Sequence, residues 1–364
     1  LSPIATPRRV AAALDRARAA GRAGGVGGLS LDSMPGPEHL GPLGAHLVAD
    51  DFGWCTGQVV FASGPETAIV DQPRLMEVVR TSGVASIGAV LSAFIPRAMA
   101  KAEGQQASAG GSNPRFGGIF NAPVPEPVPS PTAKSCIVVG DRPALVTPLI
   151  AVLEARSISC RRATAGHGFS GAADALRAAI DDQWPIDAVV VALDGQQRPA
   201  PAADDWASIL SDHGGITDHL HADASWARAT ADYATQADRP VRLVTLTDAT
   251  SPSGRTRAQS AVQLARALPS GTGGHVTAFA AGIEAPDADA APVVAELVGH
   301  LLADPDAAGL AGAELAVGPG WLGLRSHPRP IGSVTYGGPA LPAWLDDVLK
   351  EIVGTAAVDR KDAP

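Results

Sequence analysis

Lysine is scarce in this chain: Lys101, Lys134, Lys350 and Lys361 are the only four in 364 residues, and the formal charge at neutral pH is -9. A nucleic-acid groove or a seat on an anionic membrane needs clustered positive charge, so neither is expected as a partner. A small ligand or another protein is expected instead. Cysteine is scarce too. Cys55, Cys136 and Cys160 are too few and too scattered for a disulfide framework, and none stands in a CxxC pair able to grip zinc. The reducing cytoplasm is the expected compartment. No run of about 18 apolar residues is present to span a bilayer. The chain starts Leu-Ser-Pro-Ile, with no basic region followed by an apolar stretch, so export is not expected. The start also lacks an initiator methionine, which is compatible with a beginning inside a longer gene product.

What is abundant is apolar residue, 46% of the chain, ample for a buried core. The clearest boundary is Asn121 to Pro131, NAPVPEPVPSP, where alternating prolines forbid a helix and favour an extended spacer. A second low-complexity stretch, Gly104 to Gly118, is rich in glycine and serine and is expected to be mobile. After the spacer, Cys136-Ile-Val-Val-Gly140 leads into a helical pattern through Arg156. Ile186 to Ala192, Val241 to Leu246 and His275 to Ala280 are further apolar, β-branched runs separated by helix-compatible sequence. Such alternation predicts a doubly wound α/β domain with a parallel sheet covered on both faces, over about 134–353. The stretch Arg74 to Ala102 carries apolar residues at helical spacing and predicts a long amphipathic helix, for core packing or docking on a partner subunit. The aromatics between Trp321 and Trp344 fit either a subunit interface or a buried structural tail.

His46-Leu-Val-Ala-Asp50 recurs 254 residues later as His300-Leu-Leu-Ala-Asp304. The block around Gly57 recurs 255 residues later around Gly312. Chance is one explanation of two short matches. The other is an internal repeat about the size of one α/β domain, in which residues 1–64 are the tail of a first unit and 134–353 are a second, complete unit. Residues 65–120 would then be a helical extension and flexible segment, 121–133 the linker, and 354–364 a tail.

These blocks resemble the short-chain dehydrogenase/reductase family. Leu47-Val-Ala-Asp50 followed by Thr56-Gly57-Gln-Val-Val-Phe-Ala-Ser-Gly64 is similar to the family's final helix and strand. Ser2 to Arg8 is similar to its proline-containing loop after the sixth strand, a residue short of the commonest spacing. The resemblance implies a Rossmann-like fold, NAD or NADP as coenzyme, a homo-oligomer, and cofactor contacts from Pro3, Ile4 and Thr6. It also implies a phosphate turn at Gly140. There, however, the family's TGxxxGxG is Val139-Gly140-Asp-Arg-Pro-Ala-Leu-Val146, with one glycine surviving. Arg161 and Arg162 follow the second strand, where a basic residue can hold a 2′-phosphate, but they read more simply as surface arginines.

The family's chemistry needs YxxxK, a tyrosine that gives its proton to the carbonyl and a lysine one turn later that lowers its pKa. The chain has only Tyr233 and Tyr336, followed four residues on by Ala237 and Ala340. By alignment, Thr256 and Ser260 occupy the dyad positions, and a threonine hydroxyl is far too weak an acid for the task. The complete unit is thus expected to be non-catalytic and to act as a structural pseudo-subunit. The chemistry that the resemblance implies, ketone reduction or alcohol oxidation with 3-oxoacyl thioesters as one candidate substrate class, is assigned to the first unit, whose front would lie ahead of Leu1 or on an associated chain. A pseudo-dehydrogenase that binds a ligand or a protein is the competing reading. Asp212, His213, Asp218, His219, His221 and Asp223 form a metal-capable cluster that reads more simply as polar helix surface, and no metal site is assigned. Gly24 to Gly28 has neither the preceding strand nor the Lys-Ser/Thr of a phosphate loop. Ser251-Pro-Ser253-Gly254 lacks the spacing of a nucleophile elbow.

Overall fold

In the computed structural model the described residues are 25–26, 29–30, 37–63, 66–71, 73–81, 87–88, 91, 132–163, 168–180, 184–193, 207, 215–325, 329–336 and 338–354. The proline-rich spacer and the Gly104–Gly118 stretch lie outside them. The chain divides into two units, one of residues 1–74, 102–123 and 326–364 and the other of residues 75–101 and 124–325.

The first unit opens with a two-residue antiparallel ladder, β1 (Gly25–Val26) on β2 (Leu29–Ser30). There follow α1 (Gly41–Leu47), a 3-10 helix (Asp50–Cys55) and the hairpin strands β3 (Val59–Ser63) and β4 (Glu66–Asp71). The chain then leaves for the second unit, where Leu75–Arg80 is β5.

The second unit is the doubly wound α/β domain. β6 (Ser135–Gly140) leads to α2 (Pro143–Ala155), β7 (Ser159–Ala163), α3 (Gly168–Ala179) and β8 (Ala188–Ala192). Then come α4 (Ile216–Gln236), β9 (Val241–Asp248), α5 (Pro252–Gly271), β10 (Val276–Ile283) and α6 (Asp287–Ala303). A 3-10 helix (Pro305–Leu310), β11 (Glu314–Gly318) and β12 (Trp321–Arg325) complete it. The sheet runs β5-β12-β11-β10-β9-β8-β6-β7, parallel from β7 to β11 and antiparallel over β12 and β5. Cys136 to Val139, Ala188 to Ala192 and Val276 to Ile283 are buried without alternation, as strands covered on both faces must be. Ile137, Val139, Val189, Val191 and Leu243 pack on Leu176, Trp226 and Ala265 of α3, α4 and α5. α2 and α6 pack on each other. The chain goes from β7 through α3 alone to β8. The outermost strand of the classic 3-2-1-4-5-6 order therefore has no counterpart among the described residues.

At the N-terminal ends of the strands, Asp187 accepts hydrogen bonds from the Lys134 and Ser135 amides (2.9 and 3.2 Å) and pairs with Arg239 at 2.6 Å. Fully buried Arg242 of β9 donates to the carbonyls of Leu301 and Asp304 (2.6 and 2.8 Å), capping α6 with a cation where its dipole favours one.

The two segments whose sequences match also share backbone form. In both units a helix, a 3-10 turn and a glycine with positive φ (Gly57 at 83°, Gly312 at 72°) lead into a strand. The hairpins correspond as well, Ser63 pairing Glu66 as Gly318 pairs Trp321, each 255 residues on. The third strand on each hairpin comes from the other segment of the chain. β13 (Arg329–Thr335) follows β12 but pairs with β4, and β5 follows β4 but pairs with β12. The registers are the same at offset 255: Thr335, Val334, Ser333, Gly332 and Pro330 oppose Glu66 to Val70, as Arg80, Val79, Val78, Glu77 and Leu75 oppose Trp321 to Arg325. Even the irregularity recurs, skipping Ile331 in one and Met76 in the other. The first unit is closed by α7 (Leu345–Val353), whose Leu345, Leu349 and Val353 meet Leu43, Phe52, Trp54 and Ile69. His46 of α1 bonds Asp346 of α7 at 2.6 Å.

Two expectations are corrected. Leu75–Arg80 is an edge strand and not helix; of the other described residues of that stretch, Arg74 and Thr81 lie outside any element and Ile87, Gly88 and Leu91 are helical. The bulge at Met76 shifts the two-residue alternation by one, which gives a strand the apolar spacing of a helix. The described residues between 329 and 353, expected in the α/β domain, fall in the first unit, where Tyr336 and Leu341 pack against the core while Trp344 is exposed.

Candidate functional site

In an open doubly wound sheet, ligands bind beyond the C-terminal ends of the strands, where neighbouring connections diverge. Here that point lies between β6 and β8, at Gly140 and Ala192, which pair in register. Gly140 is glycine because of its neighbours: a Cβ there would stand 2.7 Å from the Ala192 carbonyl oxygen and 3.0 Å from a Val146 methyl. The close approach the residue permits is thus between two strands.

The helix start beside it offers little to an anion. Pro143 has no N–H, and the amides of Leu145 and Val146 both donate to the Arg142 carbonyl (3.1 and 2.9 Å). Arg142 is buried and forked onto Asp287 at the start of α6, its Nε 3.0 Å from Oδ2 and a terminal nitrogen on Oδ1. A dinucleotide pyrophosphate needs free amides and bare backbone at this turn. The residues present do not fit one. At the end of β7, Arg161 stacks over Trp184 (4.2 Å) and donates to the Ala179 carbonyl at 2.8 Å, so it is committed to packing, while Arg162 is exposed.

The dyad positions fall on α5. Thr256 is exposed and donates to the Pro252 carbonyl of its own helix at 3.1 Å; Ser260, a turn later, is half-buried. The turn from β9 into α5 spans only 249–251, and Asp248 and Ser251 are spent within it. Asp248 accepts from the amide and hydroxyl of Thr250 (2.9 and 2.6 Å), and Ser251 accepts from the Gly254 amide (3.1 Å). Beside Thr256 lies a pair that sequence reasoning missed. Arg257 and Asp223 are both buried and bidentate at 2.6 and 2.8 Å, and Arg257 also donates to the Leu193 carbonyl at 3.3 Å. This fork ties α5 to α4 and to the end of β8. Asp223, one of the metal-capable side chains in the sequence, is instead paired with Arg257, which gives it a structural role. Asp212 and His213 lie outside the described residues, as do Pro3, Ile4 and Thr6. Among the described residues no group of three acidic, histidine or cysteine side chains converges on a metal site.

The two tyrosines are elsewhere. The Tyr233 hydroxyl accepts from the Ile186 amide at 3.0 Å, at the N-terminal end of β8, and Tyr336 packs in the core of the first unit.

Solved structures similar to this chain are dehydrogenases. A short chain dehydrogenase from Mycobacterium avium is 14% identical, with 61% of this chain and 95% of that one covered and a TM-score of 0.45. A hydroxysteroid dehydrogenase from Escherichia coli is 13% identical over 52% and 97%, with a TM-score of 0.38. An acetoin dehydrogenase from Salmonella typhimurium is 13% identical over 52% and 97%, at 0.37. No family model and no curated protein matches the chain. The fold rests on the strand order and pairing given above. No helix among the described residues is long and apolar enough to cross a membrane.

Proposed function

We propose that the α/β unit from β6 to β12 is a non-catalytic pseudo-subunit of an NAD(P)-dependent oxidoreductase of the short-chain dehydrogenase/reductase type, and that ketone/alcohol chemistry resides in a first unit to which residues 1–64 contribute the end. The carrying observation is the Arg257–Asp223 fork beside Thr256: the helix on which the family sets its proton donor is held by a buried ion pair, and its exposed hydroxyl bonds its own backbone. The paired Arg142 and the proline at the start of α2 support the same reading for the coenzyme turn. Reduction of 3-oxoacyl thioesters is the substrate class proposed, on the likeness of the Pro3 loop alone.

The test is an NAD(P)H-dependent ketone reduction assay on the gene product expressed with the sequence ahead of Leu1. The double variant Thr256→Ala/Ser260→Ala is expected to leave kcat and KM unchanged. A fall in kcat with the fold intact would put chemistry in the complete unit. Absence of any reductase activity from the longer product would favour a non-enzymatic binding module.

A further inference from the structure

We infer that Cys136 and Cys160 form a redox-responsive thiol pair, which hydrogen peroxide closes to a disulfide between β6 and β7. The inference stands apart from the proposed function, since it needs neither a coenzyme nor a second unit.

The pair is made by strand register. The two cysteines lie on either side of α2 in the sequence, and nothing in their spacing marks them as partners. In the fold β6 and β7 are parallel neighbours, and Cys136 stands directly opposite Cys160, between the pairs Ser135–Ser159 and Ile137–Arg161. Opposed residues of a parallel ladder turn their side chains to the same face. Ile137 and Val139 pack in the core with residues of α3 and α4, so by alternation the two cysteines face the other side of the sheet, where α2 packs on both strands. Neighbouring strands are about 4.8 Å apart, within the range of about 4.4–6.8 Å between the Cα atoms of disulfide partners. Side chains held parallel keep their Cβ atoms slightly wider than the roughly 3.5–4.5 Å of an ordinary disulfide. The bond therefore closes under some strain and is the more readily reduced again.

The two thiols have different parts. Cys136 is fully buried, whereas Cys160 is half-buried, within reach of a small oxidant. A hydrogen bond from Cys136 favours the thiolate of Cys160 and lowers its pKa, against burial and the charge of Glu154. The same bond, together with burial, pushes the Cys136 thiol well up. The thiolate is the nucleophile, so Cys160 attacks first. Its sulfur takes one oxygen of the peroxide, the O–O bond breaks, hydroxide leaves and a sulfenic acid forms. Sγ of Cys136 then attacks that sulfur, the S–O bond breaks, the S–S bond forms, and the oxygen departs as water with the Cys136 proton. The two sulfurs give up two electrons, and the peroxide becomes two waters. Cys55 belongs to the other unit, where burial and then Asp346 push its thiol up, and it serves as the internal control.

The test is to treat the folded, reduced 364-residue chain with hydrogen peroxide, block the remaining thiols with iodoacetamide in denaturant, and weigh the tryptic peptides. Trypsin cuts after Lys134, Arg156 and Arg161 but not between Arg142 and Pro143, so the cysteines fall on separate peptides, 135–156 and 157–161. The expected product is these two peptides joined within a single chain and parted by dithiothreitol, with free thiols falling from three to one and Cys55 carrying the blocking group. Three free thiols after treatment, or Cys160 oxidised to sulfinic acid with no joined peptide, would overturn the inference. So would a joined peptide found only in disulfide-linked dimers, since the partners would then sit on two copies. Single variants provide a second arm. Cys136→Ser is expected to leave Cys160 as a sulfenic acid that dimedone captures, and Cys160→Ser to leave Cys136 unmodified. Dimedone capture at Cys136 in Cys160→Ser, with none at Cys160 in Cys136→Ser, would overturn the assignment of Cys160 as the attacking sulfur.

Discussion

Glu314 opens β11 at the position that β3 fills with Val59. Burial raises its pKa from 4.5 to about 7, with Arg325 and Arg266 opposing the rise. A carboxyl that holds its proton more tightly folded than unfolded favours the fold fully only below its unfolded pKa. As pH rises from 4.5 towards 7 the unfolded chain gives up the proton first, stability falls, and above 7 the loss levels off at about 3 kcal/mol. Glu314→Gln is therefore expected to melt higher than the parent at pH 8 and to match it at pH 4, followed by thermal unfolding at both. A lower melting temperature at pH 8 would mean that Arg325 and Arg266 outweigh burial. The Arg257–Asp223 fork acts in the opposite sense. Asp223→Ala leaves a buried guanidinium with only the Leu193 carbonyl, and is expected to cost about 3–5 kcal/mol, read by denaturant unfolding. A loss within 0.5 kcal/mol, the range of ordinary surface substitutions, would show the fork to be dispensable. Asp223 stood out in the sequence only as a metal-capable side chain, and its pairing with Arg257 did not, because pairing across 34 positions between two helices leaves no local pattern.

The strands β6, β8, β9 and β10 were legible as elements because strands buried on both faces read as continuous apolar, β-branched runs. β5 was not, since its bulge at Met76 breaks the alternation that identifies a strand. The match between the two segments was visible in the sequence only at His46/His300 and Gly57/Gly312. The structure carries it on through the hairpin to β13, where backbone register is kept although Gly332 stands opposite Ile69 where Glu77 stands opposite Leu324. The exchange of third strands makes a prediction that ordinary connectivity does not. Val79→Pro, in the segment following the first hairpin, is expected to loosen β12 in the second unit and spare β4. Val334→Pro, its counterpart, is expected to loosen β4 and spare β12, since proline cannot serve in a paired ladder. Hydrogen exchange resolved by strand distinguishes the two. Loss of β4 protection in Val79→Pro with β12 intact would contradict the exchange.

For the whole molecule, the doubly wound fold was readable from composition and spacing, and what fills the turn after β6 was not. That turn is closed by an arginine that turns onto Asp287, by a glycine spent on a neighbouring strand and by a proline without an amide, three features that involve residues from β6, β8 and α6. The central proposal is that this doubly wound unit carries no working coenzyme turn. It is tested most directly by titrating the 364-residue chain with NADH and with NADPH and following nicotinamide fluorescence. The account predicts no saturable change with either. Saturable binding that Arg142→Glu abolishes would contradict it, since the coenzyme would then occupy the turn that Arg142 and Asp287 close.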